Sequence, residues 1–113
     1  MPHLVIEYSE AHFPADRAEQ MLRTAHAAAL ASGLFGEADI KVRAYPCGLH
    51  LVGGQHGSFI HVTVYLLSGR DQPTQKMLAE TVLRHMTEAG FSPSSLSVDC
   101  RDLDRTVYSK TIR

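Results

Sequence analysis

The sequence has none of the features that would assign it to a membrane, secreted or nucleic-acid-binding class. No apolar run approaches the roughly 18 residues of a membrane-spanning helix, and the N-terminus lacks the charged start and apolar centre of a signal peptide. Its 11 Lys and Arg residues nearly balance its 12 Asp and Glu residues, so the net charge of -1 gives no long-range attraction to nucleic acid. We therefore expect a cytoplasmic protein with no membrane or nucleic-acid partner.

Cysteine is also scarce, with only Cys47 and Cys100 in the chain. Two such residues form neither a disulfide framework nor a paired metal-binding knuckle, and neither has an identifiable base partner that would activate it as a nucleophile. Among the 7 histidines, the spacings of His50, His56 and His61 do not match a helical metal pair or a zinc site. The sequence therefore predicts no metal site and no cysteine nucleophile.

What remains is ordinary for a single domain of 113 residues, of which 44% are hydrophobic and 20% charged. Apolar periodicity divides this domain into two halves, about 2–46 and 58–101, and a C-terminal arm. In chain order the predicted elements are a strand over 3–8, a helix over 14–32, a strand over 39–46, a loop or hairpin over 47–57, a strand over 58–67, a helix over 72–89, a strand over 96–101 and an extended arm over 105–113.

The two halves repeat the order strand, helix, strand. Gly33 and Gly90, which end the two predicted helices, lie 57 positions apart, and the apolar stripe of the second helix begins at Met77 or Leu78. A βαβ crossover is right-handed and makes its two strands parallel. The sequence therefore predicts an α+β fold, in which two βαβ units form one four-stranded mixed sheet with both helices on one face.

The opposite face of this sheet has no predicted cover. Val5, Phe59 and Tyr65 lie on it together with charged residues, and Lys41 and Arg43 share one face of their strand. A solvated edge strand is the ordinary explanation for two such cations. A half-covered sheet in a protein of this size nevertheless favours covering by another subunit.

Proline follows the first methionine directly and begins the first strand. Methionine ahead of a small residue is normally removed, and its removal would give Pro2 a free secondary amine. A terminal α-amino group has a pKa of about 7.7–8.0, which burial or a neighbouring cation lowers. Pro2 is thus a candidate general base, although proline also occurs at this position without any such role.

Several short motifs occur together between residue 2 and about residue 90. They are Pro2-His3 with Val5-Ile6-Glu7 and Ser9, Ala31-Ser32-Gly33-Leu34-Phe35, Gly54-Gln55-His56, Phe59-Ile60-His61-Val62-Thr63 and Gly69-Arg70. Together they resemble the tautomerase superfamily and, within it, the 5-carboxymethyl-2-hydroxymuconate Δ-isomerase family. The N-terminal proline and the later block are specific as a combination, and neither alone would suffice.

The resemblance implies a homotrimer whose sheets enclose a central barrel, with active sites near the subunit boundaries. It also implies that Pro2 is the catalytic base and that no metal or organic cofactor takes part. Arg70 matches the arginine of the family's Gly-Arg motif, while Lys41 and Arg43 occupy two further arginine positions, so these three residues are expected to bind the small carboxylate substrate. Lys41 keeps the charge of the family arginine but lacks its planar fork.

Three functions are compatible with these observations. The first is an isomerase that moves a proton in an unsaturated 2-hydroxy or 2-oxo carboxylic acid of aromatic catabolism. The second is a tautomerase of another enol acid, such as a phenylpyruvate-like compound, or an enzyme with promiscuous hydratase activity. The third is a catalytically silent trimeric binding protein on the same scaffold. A requirement for a second substrate carboxylate separates the first two, and the chemical state of the N-terminus separates the third.

Overall fold

The computed structural model describes residues 1–113 and contains one four-stranded sheet and two long helices. The elements are β1 (His3–Ser9), α1 (Ala15–Ala31), β2 (Lys41–Cys47), β3 (Phe59–Leu67), α2 (Gln72–Glu88) and β4 (Ser95–Leu103). The strand order is β2-β1-β3-β4. Strands β1 and β2 are parallel, as are β3 and β4, and β1 runs antiparallel to β3. The mixed sheet made from two βαβ units is therefore confirmed.

The core lies between one face of the sheet and both helices. Alternation along the strands turns every second apolar residue toward this core, and residues of α1 and α2 complete a single buried cluster. The fully buried members are Leu4, Ile6, Met21, Ala25, Ala28, Ala29, Ile60, Val62, Val64, Leu66, Leu78, Val82 and Met86. Because both helices contribute to this one cluster, they lie on the same face, as predicted.

The ends of the helices follow local sequence signals. Gly33 and Gly90 have φ angles of 75° and 91°, in the left-handed region that glycine adopts without steric cost, and they follow α1 and α2. At the start of α2, the side chain of Asp71 accepts a hydrogen bond from the backbone N–H of Thr74 at 2.9 Å. These signals explain why the helix boundaries agree with the prediction to within about two residues.

The loop over 47–57 agrees with its prediction, whereas the arm differs in part from its own. Between β2 and β3 the only pairing is a single bridge that joins Val52 to Gln55. The arm is not extended throughout, since a short 3-10 turn forms at Arg105–Val107, where the Asp104 side chain accepts the N–H of Thr106 at 3.0 Å.

Neither long helix meets the length and hydropathy needed to cross a membrane.

Candidate active site

The start of β1 places Pro2 inside the protein rather than on its surface. The side chain of Pro2 is fully buried, and its carbonyl oxygen accepts the backbone N–H of Lys41 at 3.1 Å. Met1 is present in the structure and only 8% exposed, so the free amine belongs to Met1 and the Pro2 nitrogen lies in a peptide bond. The strand pairing thus fixes the chain terminus beside the first residue of β2.

The surroundings of this terminus disfavour a protonated amine. Burial and, after it, the charges of Lys41 and Lys110 together lower the pKa of the Met1 amine from 8.0 to about 6, while Asp39 opposes them. Desolvation and neighbouring cations both penalise the charged form of an amine. These surroundings therefore favour the neutral form of the Met1 amine.

Among the predicted cationic site residues, Lys41 is the one whose charge lowers the pKa of this amine. It is the first residue of β2 and pairs with His3 across the parallel ladder. Its Nζ donates a hydrogen bond to the backbone oxygen of Asp39 at 2.5 Å. This contact holds the ammonium group close to the chain terminus.

Arg43 lies two residues further along β2, on the open face of the sheet. Its Nη1 is 3.0 Å from Nδ1 of His3. Burial and the charge of Arg43 lower the pKa of His3, which favours a neutral imidazole that can accept this hydrogen bond. Arg43 therefore contacts the residue that follows Pro2, rather than the terminal amine itself.

Arg70 lies just before α2 and binds the turn that follows α1. Its Nη2 donates to the backbone oxygen of Leu34 at 2.9 Å, and its guanidinium carbon lies 5.0 Å from the centroid of the Phe35 ring. Its polar and aromatic contacts are thus with residues 34–35, not with Met1 or Pro2. The structure brings together the terminus, Lys41 and, through His3, Arg43, and it leaves Arg70 in a separate contact.

The C-terminal arm supplies two neighbours of the terminus that the sequence did not indicate. The hydroxyl of Tyr108 lies 3.2 Å from Nε2 of His3, and Nζ of Lys110 lies 3.3 Å from Oδ1 of Asp39. The members of these pairs are 105 and 71 positions apart. No motif links residues so distant in the chain, and a tail without apolar periodicity gave no signal of its own.

Comparison with known families agrees with this geometry. The sequence model of the 5-carboxymethyl-2-hydroxymuconate isomerase family matches residues 2–110. The chain belongs to this family. It is therefore an enzyme of the isomerase and tautomerase class, and the match includes the C-terminal arm as far as Lys110. No curated protein matches the sequence significantly.

Solved structures of other proteins have the same fold. A 5-carboxymethyl-2-hydroxymuconate isomerase from Deinococcus radiodurans R1 superposes with a TM-score of 0.79 at 21% identity, over 99% of this chain and 90% of that one. The protein Pt0534, inactivated by 2-oxo-3-pentynoate, gives 0.81 at 21% identity over 96% and 90%. A fused 4-OT symmetric trimer gives 0.74 at 19% identity over 92% and 87%. At these identities the likeness shows the fold alone.

The environments of Cys100 and His61 favour structural rather than catalytic roles for these side chains. Burial raises the pKa of the Cys100 thiol to about 11, which disfavours the nucleophilic thiolate. Nδ1 of His61 lies 2.7 Å from Oγ of Ser97, and its Nε2 lies 3.0 Å from Oδ1 of Asp99, so both ring nitrogens have partners within the sheet. No three His, Cys, Asp or Glu side chains come close enough together to hold a metal ion.

Proposed function

We propose that the chain is a cofactor-independent, cytoplasmic tautomerase of the 5-carboxymethyl-2-hydroxymuconate Δ-isomerase type. Its reaction moves a proton within an unsaturated 2-hydroxy or 2-oxo carboxylic acid of aromatic catabolism. Removal of Met1 exposes the Pro2 nitrogen, which acts as the general base. The observation that carries this proposal is the buried chain terminus, which the fold holds beside Lys41 and Lys110.

A single amine of near-neutral pKa suits the chemistry of this reaction. The Pro2 nitrogen takes a proton from the substrate and returns it to a distant carbon, which is general acid–base catalysis. Cations are needed to hold the substrate carboxylate and to stabilise negative charge on the 2-oxygen. Lys41 serves beside the amine, whose pKa it lowers. Arg70 contacts residues 34–35 and not the terminus of its own chain, but it uses only one of its five N–H donors on Leu34 and retains others for a carboxylate.

A homotrimer completes the proposal, because one face of the sheet has no cover within the chain. Tyr45 is 52% exposed on this face, and a cavity of about 390 Å³ opens there. An uncovered sheet face that carries apolar side chains among charged ones is typical of a surface that another subunit covers. The fused 4-OT structure of the same fold is a symmetric trimer, which supports the same assembly for this chain.

A phenylpyruvate-like enol acid is the second candidate substrate. The cavity on the open face is lined by His3, Val5, Arg43, Tyr45, Tyr65 and Leu103. In a trimer that leaves this cavity open at a subunit boundary, its four apolar side chains and one arginine suit an aromatic monocarboxylate better than a dicarboxylate. Lys41 adds to this preference because a lysine holds a carboxylate as a point charge and without a bidentate fork.

The state of the N-terminus provides the test. Intact-mass measurement identifies the processed protein, and a form with one added residue ahead of Pro2 provides a folded protein without the free proline amine. We expect turnover of phenylenolpyruvate or 2-hydroxymuconate by the processed form, partial turnover by Pro2→Ala and almost none by the extended form. Equal kcat values for the processed and extended forms would rule out the base, and inactivity of the processed form on both compounds would favour the silent binding protein.

A further inference from the structure

The C-terminal arm, residues 104–113, folds back over the N-terminus of the same chain. The rings of Tyr108 and His3 meet edge to face with centroids 6.5 Å apart, and the Tyr108 hydroxyl lies 3.2 Å from Nε2 of His3. Two residues later, Lys110 reaches Asp39 across the beginning of β2. The arm is therefore anchored at Tyr108 and at Lys110 itself.

Charged groups from several elements surround the terminal amine. Lys41 faces it from β2, Asp39 from the turn before β2 and Lys110 from the arm, and all three influence the protonation of the amine. His3 lies beside them on β1, where it contacts Arg43. Two ammonium groups from separate elements thus both contact Asp39, Lys41 at its backbone oxygen and Lys110 at its carboxylate.

We propose that Lys110 is a substrate-binding residue of the tautomerase site and that its ammonium group, together with that of Lys41, holds the substrate carboxylate beside the terminal amine. This inference rests on the proposed function, since it takes the amine as the reacting group. It assigns a role to a residue near the C-terminus, outside the motifs that resemble the family.

The free hydrogen-bond donors of the two lysines support this arrangement. A lysine ammonium group has three N–H donors. Lys41 uses one on the backbone oxygen of Asp39, and Lys110 uses one on the Asp39 carboxylate. The remaining donors can bind the two oxygens of a carboxylate, so a pair of lysines replaces the bidentate grip that a single arginine would provide.

A purely structural role explains the position of Lys110 less well. The side chains of Lys110 and Asp39 are 36% and 38% exposed, and ion pairs in such surroundings contribute little to stability. The same cation favours the neutral form of the Met1 amine, and we expect it to act in the same direction on the Pro2 amine, one residue away, once Met1 is removed. Truncating Lys110 should therefore leave the fold intact while it changes the binding of anions and the protonation of the terminus.

The test compares Lys110→Ala, Lys110→Arg and the control Lys76→Ala in the full-length processed protein. Lys76 is a lysine on α2 that pairs only loosely with Glu80, at 3.9 Å. Muconate, an unsaturated dicarboxylate without the reacting hydroxyl group, serves as the probe, and calorimetry measures its Kd. ¹⁵N NMR of the terminal proline measures the pKa of the amine without any need for turnover.

We expect Lys110→Ala to weaken muconate binding about tenfold, as the loss of one hydrogen bond between charged groups does, and to raise the pKa of the amine. Lys110→Arg should restore most of the binding, and Lys76→Ala should match the parent protein. Absence of muconate binding by the parent, or equal Kd and amine pKa in Lys110→Ala, would overturn the inference. Because neither readout requires catalysis by Pro2, failure of the proposed base is detected separately, by the extended form.

Discussion

At the scale of single residues, Lys41 illustrates how two roles of a cation can be separated. Lowering the pKa of a neighbouring amine requires only charge, whereas gripping a carboxylate with two parallel hydrogen bonds requires a planar fork. Lys41 retains the first property where the family has arginine, and it lies among the groups that lower the pKa of the terminal amine. In the proposed mechanism Lys41 therefore lowers the pKa of the base, while it binds a carboxylate differently from an arginine.

The pH dependence of the reaction should reveal this base. A base must be neutral to act, so kcat/KM of the processed protein should rise with pH through the pKa of the Pro2 amine. Burial and cations lower that pKa, which places the rising limb below the ordinary range of about 7.7–8.0. Lys41→Ala removes one cation and should shift the limb to higher pH, whereas Lys76→Ala should leave it in place. A limb at or above pH 8 in the parent protein would contradict this account.

At the scale of elements, a sequence predicts structure that local patterns determine better than it predicts contacts between residues that are distant in the chain. The strands and helices were predictable because periodicity and glycines such as Gly33 act within a few residues. Contacts of the candidate site were less predictable. Pairing of β1 with β2 follows from the βαβ rule and brings Lys41 to the terminus, but the association of Tyr108 with His3 spans 105 positions and leaves no local pattern.

The register of α2 provides a test at this scale, because the sequence left Met77 and Leu78 as alternatives for the core. Leu78 is fully buried, whereas Met77 is 41% exposed. Leu78→Ala should lower the free energy of unfolding by about 2–5 kcal/mol, since it removes a packed side chain and leaves a cavity. Met77→Ala is the matched control and should cost much less. Equal losses in urea denaturation would show that the helix faces the core differently.

At the scale of the whole molecule, one face of the sheet is covered by the helices of the same chain and the other face is not. One face is sealed by α1 and α2, while the other presents Val5, Tyr45 and Tyr65 around a cavity of about 390 Å³. The loop between β2 and β3 adds Leu49 and Leu51, which are 99% and 63% exposed. The net charge of the chain is only -1. Electrostatic repulsion between two copies is therefore too weak to prevent their association through these surfaces.

Association through the open face should therefore produce a homotrimer in solution. Light scattering on the purified protein should give a mass about three times the 12.5 kDa of the chain. Val5→Asp places a charge on the open face and should reduce the mass toward that of a monomer, because an unpaired charge is costly to bury at an interface. Leu83→Asp is the matched control, since Leu83 is 37% exposed on α2 and belongs to the helical side. A parent protein that stays monomeric at micromolar concentration, or equal effects of both substitutions, would show that the open face does not join subunits.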